Sequence, residues 1–245
     1  MIKTENLSFS YRKDQQVLKN INLKVPGGSI YGYLGKNGAG KSTTIKILLG
    51  LLKAKTGTVL YDGLNFMENT VEILSRVGNM IESPSFYGHL TAYENLKYLD
   101  IMYNIGEKGI EKALLSVDLN NAGNKKVKNF SSGMKQRLCI AFALFHNPDL
   151  LILDEPMNGL DPEGIHGIRQ LLIRLSNEGK TIFLSSHILS EIEKICTHIG
   201  ILNHGELIYQ GSIQSLISDI NKDPIKSDKP DLETIFLTLT SNQTK

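Results

Sequence analysis

The chain has 245 residues, 41% of them apolar and 21% charged, with 27 lysines and arginines against 25 acidic residues and a net charge of +2. That length suffices for one large domain or two small ones around a sizeable core, and the near-balanced charge excludes a general polyanion-binding role, so no nucleic-acid partner is expected. No window approaches 18 uninterrupted apolar residues and Lys3 and Glu5 break any apolar signal core, so an intracellular chain that does not itself cross a membrane is expected.

Residues 1–34 read as strands. Leu7, Phe9 and Tyr11 alternate with Ser8 and Ser10, and Ile21, Leu23 and Val25 alternate with Asn22 and Lys24 before Pro26-Gly27-Gly28. The apolar run Ile30-Tyr31-Gly32-Tyr33-Leu34 then meets Gly35-Lys36-Asn37-Gly38-Ala39-Gly40-Lys41-Ser42, followed by the helix-like Thr43-Thr44-Ile45-Lys46-Ile47-Leu48. This is the phosphate-cradle pattern G-x-x-x-x-G-K-[ST] in its required strand-to-helix context. The glycines let successive backbone N–H groups turn toward one point at a helix N-terminus, where an anion is favoured. Lys41 is placed to reach the β- and γ-phosphates of a nucleoside triphosphate, and the Ser42 hydroxyl to bind Mg²⁺.

Thr58-Val59-Leu60-Tyr61 is a further short strand closed by Asp62-Gly63. From about 90 to 148 the period becomes helical, with Leu90, Tyr93, Leu96, Leu99 and Tyr103 on one face and Leu138, Phe142 and Phe145 on another. Cys139 lies within the second run and Cys196 is remote from it, so two free thiols outside any metal-ligand spacing are expected, with Cys139 buried. Strand runs return at Leu150–Leu153 and Thr181–Leu184 around a helix near 164–177, the alternation of a parallel α/β sheet. Residues 222–230 have linker composition, and Leu232, Ile235, Phe236 and Leu239 form a short amphipathic helix whose favoured place is back on the domain. No internal repeat is evident, so the chain carries one nucleotide module.

Leu150–Leu153 ends in Asp154-Glu155-Pro156. A carboxylate at the strand end, Asp154, suits Mg²⁺ opposite Ser42. Glu155 points to the other side of the strand, where it can accept a proton from an attacking water. Ser131 is positioned to cap the helix carrying Lys135 to Phe145, and Gly133 permits close approach of a phosphate to its first N–H groups.

Phe130-Ser131-Ser132-Gly133-Met134-Lys135-Gln136-Arg137, shortly before that strand, resembles the signature motif of ATP-binding cassette (ABC) ATPases. Asn158-Gly159-Leu160-Asp161 resembles the family's D-loop, Ser185-Ser186-His187 its switch histidine, and Tyr11 the aromatic that stacks on adenine. The resemblance runs from Met1 to about Ser218 and implies a P-loop NTPase (RecA-like) core with an antiparallel β subdomain and an inserted helical subdomain. It divides the chain into a nucleotide-binding domain over 1–221, with the helical signature subdomain at about 83–148, and a linker and helix over 222–245. It implies that Gly35 through Thr43 hold ATP with Mg²⁺, and that Glu155 and His187 are catalytic. It also implies that Ser131, Ser132, Gly133 and Met134 cap the γ-phosphate held by a second copy in a head-to-tail dimer. Stacking a base on Tyr11 is worth roughly 1–3 kcal/mol by analogy with nucleic-acid binders. His89, His146, His166, His198 and His204 match no motif.

Two departures narrow the resemblance. Where most ABC ATPases carry a metal-touching glutamine, this chain has Glu82, in Ile81-Glu82-Ser83-Pro84-Ser85-Phe86-Tyr87, which keeps the ligand oxygen but adds a charge. Ser132 and Met134 replace the commoner Gly and Gln of the signature. Together these are similar to the ATPase subunits of bacterial exporters that protect cells from lantibiotics and bacitracin. That subgroup implies an ABC-2 type transmembrane permease partner, a peripheral place on the cytoplasmic face of the membrane, and a peptide-antibiotic substrate. Two other readings stand beside it: a soluble ABC ATPase of DNA repair or translation, and a nucleotide sensor that hardly hydrolyses ATP. The first lacks here the heptad insertion of repair members and the doubled cassette of translation members; intact Glu155 and His187 argue against the second.

Overall fold

The computed structural model describes residues 1–12, 15–81, 85–220 and 231–241. Its strands and helices follow the order β1 (Ile2–Arg12), β2 (Gln15–Ile21), β3 (Lys24–Val25), β4 (Ile30–Leu34), α1 (Lys41–Leu48), β5 (Thr56–Tyr61), β6 (Leu64–Asn65), α2 (Thr70–Leu74), β7 (Val77–Met80), α3 (Ala92–Tyr103), α4 (Glu107–Ser116), α5 (Ser132–Leu144), β8 (Leu150–Leu153), α6 (Pro162–Asn177), β9 (Thr181–Ser186), α7 (Leu189–Ile195), β10 (His198–Asn203), β11 (Glu206–Ser212), α8 (Ile213–Ile220) and α9 (Leu232–Ser241). They form two compact units, Met1–Thr70 with Phe183–Lys245, and Val71–Ile182.

The first unit holds an antiparallel sheet in the order β2-β1-β5-β6, with β3 also on β1. Thr4 divides the expected Ile21–Leu23–Val25 strand in two. Its hydroxyl donates to the Ile21 carbonyl (2.7 Å) and accepts from the Leu23 amide (2.8 Å), so β2 stops and β3 starts afresh. Asp62 (φ 48°) and Gly63 (φ 85°) make the left-handed turn that an Asp-Gly pair allows and fold β6 back on β5. In the same unit β4 lies between β10, which runs parallel to it with Gly32 opposite Ile199 and Leu34 opposite Ile201, and β9. Every residue of β4 is buried, as a central strand requires. Tyr31 stacks on Phe183 (centroids 5.7 Å, 12°) and Tyr33 tilts against the same ring (5.4 Å). Helix α9 starts from an Asp231 cap and buries Leu232, Ile235 and Phe236 beside α7, with Leu239 half-buried. The proposed linker 222–230 lies outside the described residues.

The second unit pairs β7 with β8 in parallel, Val77 opposite Leu150 and Met80 opposite Leu153. A β-carbon on Gly78 would sit 2.1 Å from the Ala143 carbonyl, so that glycine lets α5 press on β7. The region read as helical resolves into α3, α4 and α5. Helix α3 opens with a reciprocal capping box between Thr91 and Glu94. Its predicted face is only partly internal: Leu96 is fully buried while Tyr103 is exposed. Tyr98, Ile101 and Met102 present apolar surface to solvent, the last two 78% exposed. Both cysteines are buried free thiols, and burial pushes the Cys139 thiol up to about 12. Among the described residues no helix is long and apolar enough to cross a membrane.

Candidate nucleotide site

In the first unit the chain leaves buried β4, loops through residues 35–40 and enters α1. Gly40, at φ 113°, is the N-cap and offers no side chain to the first turn, which holds no acidic residue. The positive end of the helix dipole there, with no acidic side chain beside it, favours an anion. Glycine is favoured at position 40 by its positive φ, and a β-carbon there would also press to 2.6 Å on Leu18 Cδ2, which would have to give way. Gly38 (φ 80°) has nothing near its missing β-carbon, and Lys36, Asn37 and Gly38 are exposed along the rim. Ala39 N donates back to Lys36 O (3.0 Å), closing the turn.

Lys41 is buried at the start of α1 and its Nζ donates across the loop to the Gly35 carbonyl (2.7 Å), which puts the cation at the loop's centre. Ser42 is exposed at the next position, and Thr43 is buried. Tyr11 belongs to the same neighbourhood. Its hydroxyl lies 3.4 Å from Thr43 Oγ1, its ring stands edge-on to Phe9, and 57% of it is open to solvent. His187 is exposed just beyond β9, followed by a turn in which Ser186 Oγ accepts from Ile188 N (3.0 Å).

The loop has a support that sequence reasoning did not single out. His204 (φ 45°) and Gly205 (φ 80°) turn β10 into β11; Gly205 N donates to Ala39 O (3.1 Å), and Lys19 N donates to Gly205 O (2.8 Å). A β-carbon on Gly205 would lie 2.2 Å from Val17 O. The His-Gly pair between apolar strands was the available signal for this turn.

The second unit gathers the other motifs. Asp154 follows buried β8 and its backbone N–H donates to Met80 O (2.8 Å). Glu155 stands at φ 50°, a conformation that neither a β-carbon nor the following Pro156 favours, of the kind that costs about 1–3 kcal/mol. Asn158 N closes the turn on Glu155 O (3.1 Å). Gln136 Nε2 donates to Pro156 O (2.7 Å) and approaches Met80 Sδ (3.5 Å), tying α5 to the turn that carries Glu155. Sequence reasoning gave Gln136 no role of its own, because its partner is a backbone carbonyl far along the chain.

Ser131 caps α5, its Oγ accepting from Met134 N (3.2 Å), and Asp161 caps α6 by accepting from Gly164 N (2.8 Å), with Pro162 at the first helical position. Ser131 and Ser132 are exposed, Gly133 and Met134 half-buried, and Asp161 exposed. Glu82 lies outside the described residues.

The family model for ABC transporters matches residues 18–158. The bacitracin transport ATP-binding protein BcrA of Enterococcus faecalis is 50% identical over 218 residues, covering 88% of this chain and 70% of its own. The lantibiotic transport ATP-binding protein SrtF of Streptococcus pyogenes is 44% identical over 216 residues, 86% of this chain and 93% of its own. An ATP-binding cassette solved as a dimer in a post-hydrolysis state, bound to ADP and Pi, matches with a TM-score of 0.76 at 27% identity, covering 87% of this chain and 99% of that one. A phosphate loop with an uncapped helix behind it, a strand ending in two carboxylates, and these matches agree: the chain belongs to the ABC transporter family and is one of its ATPase subunits, related to the ATP-binding proteins of bacitracin and lantibiotic transport.

Proposed function

We propose that this subunit drives export of a peptide antibiotic of the bacitracin or lantibiotic kind, and so gives its cell immunity or resistance. The observation that carries the substrate class is the 50% and 44% identity to transport proteins named for those two compounds. In this reading the chain sits peripherally on the cytoplasmic face of the membrane against an ABC-2 type permease. The exposed apolar side chains of Tyr98, Ile101 and Met102 on α3 support such a docked partner.

The proposed cycle begins when Gly35 through Thr43 wrap the triphosphate in backbone N–H groups and Tyr11 stacks on the base. Lys41 neutralises charge on the β- and γ-phosphates. Mg²⁺ fits the donors available: the Ser42 hydroxyl and the Asp154 carboxylate are hard oxygens, and no cluster of three or more His, Cys, Asp or Glu among the described residues forms a closed metal cage. Ser42 and Asp154 would hold the ion, which supplies charge neutralisation across the phosphates when bound. Glu82 is proposed as a further metal-side oxygen; an unchanged ATPase rate, Mg²⁺ dependence and resistance in Glu82→Gln would remove it.

Glu155 then takes a proton from the attacking water and His187 steadies the developing charge on the γ-phosphoryl. Ser131 to Met134 of a second copy cap that phosphate, with Asp161 beside them, so that the site is complete only in a dimer that closes on ATP and reopens after hydrolysis. The dimer solved with ADP and Pi supports this arrangement.

The test is antibiotic susceptibility of cells lacking the gene, complemented by wild type or by Glu155→Gln. Sensitisation to bacitracin or a lantibiotic, rescued by wild type alone, is the expected result. Unchanged susceptibility to both classes in the deletion strain would overturn the substrate assignment.

A further inference from the structure

Within the second unit, α5 and α6 meet through an arrangement that the proposed cycle leaves unused. A β-carbon on Gly133 would lie 3.7 Å from the Gly164 Cα, so the start of α5 rests against the start of α6. Four residues along α5, Arg137 lies over Gly167 of α6, where a β-carbon would come 2.7 Å from Arg137 Nη2. Gly133 and Arg137 share one helical face, as do Gly164 and Gly167. Gly133 lets the start of α5 approach the Gly164 backbone, and Gly167 is the space into which the guanidinium fits.

The guanidinium is pinned from a third direction. Arg137 Nη1 donates to Asp118 Oδ2 (2.6 Å) and to Val117 O (2.9 Å), just past the end of α4. Arg174, on α6, donates from Nη1 to the other oxygen of the same carboxylate (3.1 Å) and from Nη2 to Ser116 O (2.7 Å). One carboxylate therefore joins an arginine of α5 to an arginine of α6. Asp118 itself stands at φ 58°, a backbone shape that aspartate tolerates better than most residues and that presents its side chain here. Burial raises the Asp118 carboxyl but Arg174 and Arg137 outweigh it, leaving it below the ordinary range and charged.

We propose that Arg137, clamped by Asp118 with Arg174, is a positioning residue: it holds α5 in register with α6 so that Ser131–Met134 and Asp161 meet the second copy as one edge. The inference rests on the ATP-closed dimer proposed above. Half the Asp118 side chain is exposed, and ion pairs this open contribute about 0–1 kcal/mol to folding. What the clamp contributes is orientation, because one carboxylate oxygen and one backbone carbonyl set the angle of each planar guanidinium. Loss of the clamp should thus reach dimer closure far more than it reaches stability or binding of ATP by the chain's own phosphate loop.

The experiment uses the full chain with Glu155→Gln as parent, and Arg137→Lys, Asp118→Asn and Arg174→Lys each added to it. Arg174→Lys is the mildest change and covers the case in which another variant fails to fold. Three quantities are read: affinity for a fluorescent ATP analogue, the dimer dissociation constant in MgATP by sedimentation, and the distance distribution between nitroxides at Lys135→Cys and Glu163→Cys. The label sites are exposed, and Cys139→Ala with Cys196→Ala removes the native thiols. Expected are an analogue affinity within about twofold of the parent, a dimer weakened about tenfold, equal to about 1.4 kcal/mol, and a broadened label distribution. An unchanged distribution in all three variants would overturn the clamp. A parent that stays monomeric at every MgATP concentration would instead overturn the dimer reading, and the label distances identify which of the two has failed.

Discussion

The Tyr31 hydroxyl offers a clean test of how the strand leading into the phosphate loop is packed. It is buried and has no hydrogen-bond partner among the described residues, and burial raises its phenol well above the ordinary value. A buried donor without a partner costs about 1–3 kcal/mol. Tyr31→Phe keeps the ring on Phe183 and deletes only the oxygen; the void left, about 15 Å³, costs about 0.4 kcal/mol. The net expectation is a gain of about 0.6–2.6 kcal/mol, which for a chain of this size raises Tm by about 1–10 °C. Gly200 supplies an internal control. A β-carbon there would lie 2.5 Å from the Tyr31 oxygen, against 3.2 Å from Leu207 Cδ1 and 3.3 Å from Tyr31 Cε1. Gly200→Ala should therefore destabilise the wild type and be partly rescued by Tyr31→Phe, with a coupling of about 0.5–3 kcal/mol. Urea and thermal unfolding of the four proteins measure the cycle. A lower Tm for Tyr31→Phe, or strict additivity, would refute the account, since either means the hydroxyl is satisfied or the clash is absent.

Glu155→Gln should retain nucleotide affinity but lose on the order of 10²–10³ in turnover, read by phosphate release against binding of a fluorescent nucleotide; a brisk mutant removes Glu155 from the chemistry. Gly205→Ala, which forces a β-carbon onto Val17 O at a positive φ, should weaken ATP affinity by tenfold or more, about 1.4 kcal/mol, as titration would detect; an unaltered affinity would mean the β10–β11 turn does not support the loop. The His146 imidazole, stacked on Tyr103, is held below its ordinary value by burial and by Lys180, against an opposing pull from the Val77 backbone. The unfolded chain takes the proton first, so its contribution is intact above the unfolded value near 6.5 and is lost as pH falls below it. Melting temperatures from pH 7.5 to 5.5 should drop less in His146→Phe than in wild type; parallel curves would deny the histidine that role.

The phosphate loop, the strand ending in Asp154 and Glu155, and the Ser131 cap were legible because each is written in adjacent residues whose local chemistry demands it. Leu232, Ile235 and Phe236 were legible for the same reason, a short apolar spacing. Three features were not. Thr4 splits a strand many residues away through its hydroxyl, which periodicity cannot register. Glu155 stands at a positive φ although its residue type and its following proline argue otherwise, because the turn toward Asn158 and the hold of Gln136 on Pro156 impose it. Tyr103 shares the predicted apolar helical face with Leu96 and yet is exposed, since hydropathy alone does not say how far along a helix its neighbour extends.

The bond from Gly205 to Ala39 has a bearing on the order of events during synthesis. The residues of the phosphate-loop motif emerge early, but the turn that braces them belongs to the last third of the chain. Closing so long a loop carries an entropic cost that must be met before the contact is rewarded, which makes it a late step in folding. A nascent chain can display the whole phosphate motif and still lack its brace, so nucleotide binding should mark the completion of the first unit rather than its beginning.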